Sequence, residues 1–469
     1  MGNPEEIDID AAERETSLAE EVKYHLPDDK IKEIVEAARQ QDSDIVHAAL
    51  DELSIPDSAE LLSKINEYDR EELLSMYSDA LDPAIFTEMA PELRRTYLSE
   101  MPAARIAQMV SELESDDALL LIEDLDPDFQ QQIIKKLSAK TRLVLEEGLN
   151  FPEDSAGRLM RRELVSIPDF WTVGKTVDYL RTASDTLPED FFDIFIIDPA
   201  HHLTGEVPLS RLVKAKRSSQ IKDLVLDDMH PISSETDQED VAHMFRRENI
   251  VSAPVVDDSG RLIGVITIDD IVDVIDEEAQ EDILRLAGVD SGDLYRAVMS
   301  TTSTRFRWLF INLLTAILAS IVISFFDTTI EQIVALAVLM PIVASMGGNA
   351  GTQALTVAVR AIATQEISGT NTWRVIWKET LVGTVNGFLF AVIIGFMAAF
   401  WFASPILGVV IALAMIINLI VAGVFGAGIP LLLDRIGSDP AVSSTVLLTT
   451  ITDVIGFLAF LGLASLLLI

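Results

Sequence analysis

The chain has 469 residues, 49% of them hydrophobic, and its 75 acidic against 35 basic side chains give a formal net charge of −40. That length exceeds a single domain, and so negative a surface excludes nucleic acid as a partner while attracting cations. The absence of cysteine excludes disulfides and thiolate metal sites.

Charge is distributed unevenly. Residues 301–469 hold six basic and seven acidic side chains, so the first 300 hold 29 against 68, a net of −39. A soluble acidic part is therefore joined to a nearly neutral apolar one. Arg (23) outnumbers Lys (12), a balance that also suits solubility in high salt. The opening MGNPEEIDID is acidic and polar, unlike a signal peptide, and residues 1–24 read as a disordered acidic tail.

Over residues 25–150 apolar residues recur at the helical period, with no convincing strand. The predicted helices are Ile31–Leu50, Ser58–Ile65, Arg70–Leu81, Pro91–Glu100, Ala103–Glu114, Asp116–Leu125 and Asp128–Leu137, punctuated by Pro and Asp. Recurrent Leu-Asp-Pro pieces (81–83 and 125–127) suggest stacked helical hairpins, an all-α superhelical N domain.

A clearer repeat follows. Ile196-Ile197-Asp198 and Leu203-Thr204-Gly205 match Val255-Val256-Asp257 and Leu262-Ile263-Gly264 at a constant offset of 59 residues. Each copy reads strand, tight turn, strand, helix, with a helix upstream (173–182 and 237–248). Residues 155–275 thus resemble a tandem cystathionine-β-synthase (CBS) pair of α/β modules. The resemblance implies a nucleotide ribose near Thr267 and Asp270 of the second copy; the first has Pro208 and Ser210 there instead.

An acidic run, Asp269 to Asp282, comes next. On one helix Asp270, Asp273, Glu277 and Glu281 share a face, and like charges at that spacing cost ~0.2–0.5 kcal/mol per pair. Two readings stand: an ordinary solvated face, or a surface that a divalent cation bridges to another acidic surface.

Five apolar stretches then bracket the ~20 residues that span hydrocarbon: 308–326, 333–363 with a break at Gly347-Gly348, 381–402, 406–433 and 441–469. Arg305, Arg307, Arg360, Arg374, Lys378 and Arg435 all fall on the side of the soluble part, which the positive-inside rule makes cytoplasmic. Pro341, three glycines, Asn349, Thr352 and Gln353 interrupt the second stretch. In the fifth, Asp453 follows Thr449 and Thr450. A carboxylate at a helix centre in lipid costs ~2.5 kcal/mol or more, so it faces a pathway or caps a neighbouring helix. Oxygen ligands without sulfur suit a hard cation such as Mg2+.

The stretch Pro341 to Gln353, the Gly-Ser-Asp-Pro-Ala at 437–441 and Thr449-Thr450-Ile451-Thr452-Asp453 resemble the MgtE family of magnesium channels and transporters. So does the whole order: helical N domain (25–150), CBS pair (155–275), connecting plug helix (276–304) and five-helix α transmembrane domain (305–469). The resemblance implies a multi-pass homodimer in the lipid bilayer of the cell membrane, cytoplasmic at its N-terminus, taking up Mg2+ and gated by Mg2+. It implies an ion path along the second and fifth spans, with Asp453, Asp439, Thr449, Thr450, Asn349, Gly347 and Gly348. Asp439 lies fourteen residues before Asp453, ~21 Å of helix and about 40° apart in azimuth. It further implies regulatory Mg2+ ligands at Asp237, Glu239, Asp270, Asp273, Glu278, Glu281, Asp282 and Asp117, and ATP at the CBS pair. Leu121 stands where a second N-domain carboxylate is expected, and Val446 where a proline is. The alternatives are a broader path for Co2+, Mn2+ or Ni2+, and a nucleotide-sensing CBS protein whose spans merely anchor it. No His cluster, nucleophile constellation or phosphate-binding glycine loop points to an enzyme.

Overall fold

Pro and Asp punctuation sets the architecture of the N-terminal third. In the computed structural model the described residues are 25–77, 81–188, 190–289, 291–294, 296, 298–367 and 370–469; the acidic tail lies outside them. They fall into two units that divide between Val274 and Ile275.

Short helices occupy most of the described residues between 28 and 148, and several of their starts carry the caps that the sequence advertises. Asp42, Ser54, Asp126 and Ser138 each accept a backbone N–H of the following turn, satisfying donors that a helix start otherwise leaves open. The periodicity predicts one helix over Ile31–Leu50, but two form, α1 (Asp28–Arg39) and α2 (Ser43–Asp51). Gln41 adopts a left-handed φ of 54° between them, and Asp42 takes the cap at 3.3 Å from Ile45 N. Their apolar faces meet those of later helices in one core that includes Ile34, Val46, Leu61, Leu98, Ile106 and Leu121. Within this domain α8 (Ser115–Ile122) carries Asp116 and Asp117 in its first turn.

The repeat folds as two three-stranded sheets, one of β1 (Ser166–Pro168), β2 (Asp193–Ile197) and β3 (Leu203–Pro208), the other of β4 (Ile232–Ser233), β5 (Ser252–Val256) and β6 (Leu262–Thr267), each with one parallel and one antiparallel pairing. The hairpins β2–β3 (Asp193–Ile197, Leu203–Pro208) and β5–β6 (Ser252–Val256, Leu262–Thr267) sit at equivalent positions. Their pseudo-twofold is visible in the backbone. Leu203 N donates to Gly260 O at 3.2 Å and Leu262 N to His201 O at 3.0 Å, and His201 and Gly260 share a positive φ. Ser252 Oγ also donates to Asp193 Oδ2 at 2.6 Å, between positions 59 apart. The segment before the first copy joins the second: Ala156 N bonds Thr236 O, and Arg161 and Val265 exchange both backbone bonds at 2.9 Å.

The acidic run lies on one helix, α15 (Ile268–Ala287), which starts directly after β6. Beyond it, among the described residues, five helices are long and apolar enough to cross a membrane: α16 (Val298–Ser324), α18 (Ala335–Ala363), α19 (Thr372–Trp401), α20 (Pro405–Arg435) and α21 (Pro440–Leu468), with the short α17 (Asp327–Gln332) after the first. The break predicted at Gly347-Gly348 does not form; α18 runs unbroken through both glycines and through Pro341. Two glycines weaken a helix by about 1 kcal/mol each, which neighbouring helices override here. An added Cβ at Gly347 would collide with the Asn418 amide, so small size rather than a bend is the reason for that glycine. Close packing recurs between α19 and α20, where a Cβ on Gly423 would stand 2.5 Å from Glu379 O and one on Gly395 2.9 Å from Gly408 O.

Candidate functional site

In α21 a pleat of threonines leads to one carboxylate. The Thr449, Thr450 and Thr452 hydroxyls each donate back to a carbonyl of their own helix, at 3.0, 2.6 and 3.0 Å. Each oxygen therefore keeps acceptor capacity without leaving an unsatisfied donor in hydrocarbon. Asp453, one turn further, is half-buried. On α18 the side chains of Ser345, Asn349, Thr352 and Thr356 are exposed in this single chain and spaced to share one face; Asn349 Nδ2 reaches Ser345 Oγ at 3.5 Å. Gly348 meets nothing within 4 Å, whereas Gly347 is buried. Such a polar stripe at membrane depth needs water or another protein surface beside it.

Sequence reasoning missed the residue that holds this arrangement. Asn418 of α20 is fully buried, donates to Val343 O on α18 at 2.8 Å, and lies against both Gly347 and Gly456 of α21. It joins the three helices at one point. A lone Asn within an apolar run was the available signal.

At the start of α21, Asp439 caps the helix through Ala441 N at 2.7 Å. Its other oxygen takes Arg285 Nη1 at 2.6 Å, and Arg285 also pairs with Glu281. Thr445 Oγ1 donates to Leu286 O at 3.0 Å, and Leu286 packs on a cluster that includes Leu355, Ile429, Ala441 and Leu448. The C-terminal end of α15 is thus seated on the membrane helices by Arg285, Leu286 and a threonine. Burial and the charges of Asp439 and Glu278 raise the Asp282 carboxyl above its usual range.

The N-terminal end of α15 meets the N domain around an arginine. Arg161 places Nη1 3.0 Å from Glu114 and Nε 3.4 Å from Asp116, while Nη2 lies 3.0 Å from Asp269 and 3.1 Å from Asp270. Asp270 also accepts the Thr267 hydroxyl at 2.9 Å. Burial, then the Asp270 charge, pushes Asp117 up to about 6; burial likewise raises Asp116 and Asp270. Desolvation and the nearby Asp273 raise Glu88. The fold therefore brings the sequence-selected Asp117, Asp270 and Asp273 together with Glu88, Glu114, Asp116 and Arg161, which the sequence did not single out. Arg161 and Asp270 alone lie 109 positions apart, and no local pattern announces such contacts. Asp237 instead caps the helix Gln238–Glu248, with Glu239 in its first turn. Among the described residues no group of three or more His, Cys, Asp or Glu side chains is arranged to hold a metal ion.

Family profiles match in three places: the MgtE intracellular N domain over residues 53–154, a CBS domain over 221–277, and a divalent cation transporter, MgtE, over 340–463. The magnesium transporter MgtE of Thermus thermophilus is 31% identical over 440 residues, 92% of this chain and 97% of that protein. The Bacillus subtilis protein of that name is 29% identical, over 89% and 93%. A crystal structure of the soluble part of a magnesium transporter aligns with 54% of the chain and 98% of its own, at 27% identity and a TM-score of 0.46.

Proposed function

The chain belongs to the MgtE family of divalent cation transporters, and from that premise we propose that it is a Mg2+ channel or transporter, closed when cytoplasmic Mg2+ is high. The observation that carries the reading is a half-buried Asp453 on one spanning helix combined with an exposed polar stripe on another. Two copies about a twofold would bring these surfaces to a shared axis and remove them from lipid. Asp453 then selects a hydrated cation, with Thr449, Thr450, Asn349 and Gly348 along the path, while Gly347 packs against Asn418. Mg2+ keeps most of its water and takes few carboxylates, which matches one Asp per subunit. Asp439 forms the cytoplasmic mouth, and the orientation of the basic residues sets the N-terminus in the cytoplasm of a cell-membrane protein.

Gating follows from charge. With cytoplasmic Mg2+ scarce, Asp117 and Glu88 repel Asp270 and Asp273, and Glu278 and Asp282 repel Asp439. Mg2+ at these surfaces, and at Asp237, Glu239 and Glu281, favours the closed arrangement with α15 seated, a population shift toward the state that binds the ion better. ATP at the CBS pair would meet Thr267, which is buried and bonded to Asp270, whose carboxylate also holds Arg161.

Flux in proteoliposomes tests the proposal. Mg2+ uptake that falls as Mg2+ on the cytoplasmic side rises is the expected result; no flux would remove the transport reading. Equal competition by Co2+, Mn2+ and Ni2+ would widen the substrate to divalent cations generally.

A further inference from the structure

We propose that Arg161 is a tethered cation: its guanidinium occupies the place between the N-domain acids Glu114 and Asp116 and the CBS acids Asp269 and Asp270 that a bridging divalent ion would otherwise fill. This rests on the reading that cations draw the N domain onto the CBS pair.

The geometry divides the guanidinium between the two surfaces. Nη1 serves Glu114 at 3.0 Å, Nε faces Asp116 at 3.4 Å, and Nη2 serves Asp269 and Asp270 at 3.0 and 3.1 Å. A planar fork of five N–H donors can satisfy carboxylates on two sides at once, as a hard cation does and a lysine ammonium does less well. The side chain is only 13% exposed and that of Asp116 12%, so the pair is shielded from competing salt. Among the described residues Asp116 Oδ1 is buried with no hydrogen-bond partner, and Arg161 Nε, 3.4 Å from Asp116 Oδ2, likewise makes none, so charge rather than a hydrogen bond joins the two.

The backbone of Arg161 decides which surface owns the charge. Reciprocal bonds with Val265, both at 2.9 Å, fasten it to β6, so it stays with Asp269 and Asp270 and meets Glu114 and Asp116 only when the N domain docks. A guanidinium is charged at every physiological pH. The bridging charge is therefore in place before any Mg2+ arrives, and closure needs one ion fewer per chain. Four carboxylates around one positive charge still leave a negative remainder, and Asp117, Glu88 and Asp273 add to it. Mg2+ remains necessary nearby, but not at this place.

The experiment uses the full chain in nanodiscs, with Mn2+ bound per chain counted by electron paramagnetic resonance. Proteoliposome flux gives the midpoint of Mg2+ inhibition. Arg161→Gln is expected to bind one additional Mn2+ per chain and to shift that midpoint severalfold upward, with a steeper dependence; Arg161→Lys keeps the original count. An unchanged count and midpoint in Arg161→Gln would overturn the proposal. Should that variant misfold, Glu114→Gln decides: an unchanged Mn2+ count supports the tethered cation, and loss of one Mn2+ would overturn it by making Glu114 a metal ligand. Absence of Mg2+ inhibition in the unaltered chain overturns the gating reading instead, and the Mn2+ count still decides Arg161.

Discussion

Single side chains carry the chemistry, and their legibility differs for physical reasons. Asp453 stands out in the sequence because a charge inside an apolar run is costly. Asn418 is more deeply buried but neutral, so it blends into α20 until its bond to Val343 O is seen. Arg161 carries no local signal, since its partners lie up to 109 residues away. Replacing Asp453 by Asn should remove most Mg2+ flux while the chain still assembles; intact flux would take the residue out of the path. Arg285→Gln should act weakly. The side chains of Arg285 and Asp439 are 41% and 31% exposed, and pairs so exposed are worth ~1 kcal/mol or less, about fivefold in the midpoint of Mg2+ inhibition. Glu206 makes a separate test. It is 6% exposed, and burial and the Asp193 charge push it up to about 8. A carboxyl with a raised folded pKa stabilises most when protonated, so stability falls as pH climbs from its unfolded value and levels off above about 8. Thermal unfolding between those limits should show the loss, and Glu206→Gln should flatten it.

Among the elements, those built on local rules were the ones the sequence revealed. The 59-residue offset placed both CBS hairpins, and apolar periodicity with Pro and Asp punctuation placed several helices of the N domain. Where the reading failed, tertiary contacts overrode a local tendency. Gly347-Gly348 breaks a helix by propensity, yet α18 continues because Asn418 needs the room; Gln41 turns the chain where apolar spacing alone would carry one helix through. The α19–α20 contact depends on glycine for the same reason. Gly423→Val should cost ~1–3 kcal/mol by overpacking against Glu379, visible as a lower unfolding temperature in detergent with little change in selectivity. A selectivity change instead would show that this seam shapes the path.

For the whole molecule, charge alone marked off an acidic part from an apolar one: a net of −39 before residue 301 and near neutrality after it. How the acids meet was not, because repulsion between like charges gives no pairing rule without the fold. If they form a cation-dependent closure, limited proteolysis between N domain and CBS pair should slow as Mg2+ rises, at the concentrations that inhibit flux. Protection that never changes with Mg2+ would separate the two events and sink the coupling.

The exposed stripe Ser345, Asn349, Thr352 and Thr356 also bears on the life of the chain before it works. If the chain works as a twofold pair, a newly inserted copy without its twin would present hydroxyls and an amide to acyl chains, a surface that membrane quality control can read as orphaned. Solitary subunits should be degraded faster than assembled ones. Changing Asn349 and Thr352 to Leu and Val should lengthen their half-life in a pulse-chase while impairing transport, so the same four residues would time the survival of the protein as well as line its route.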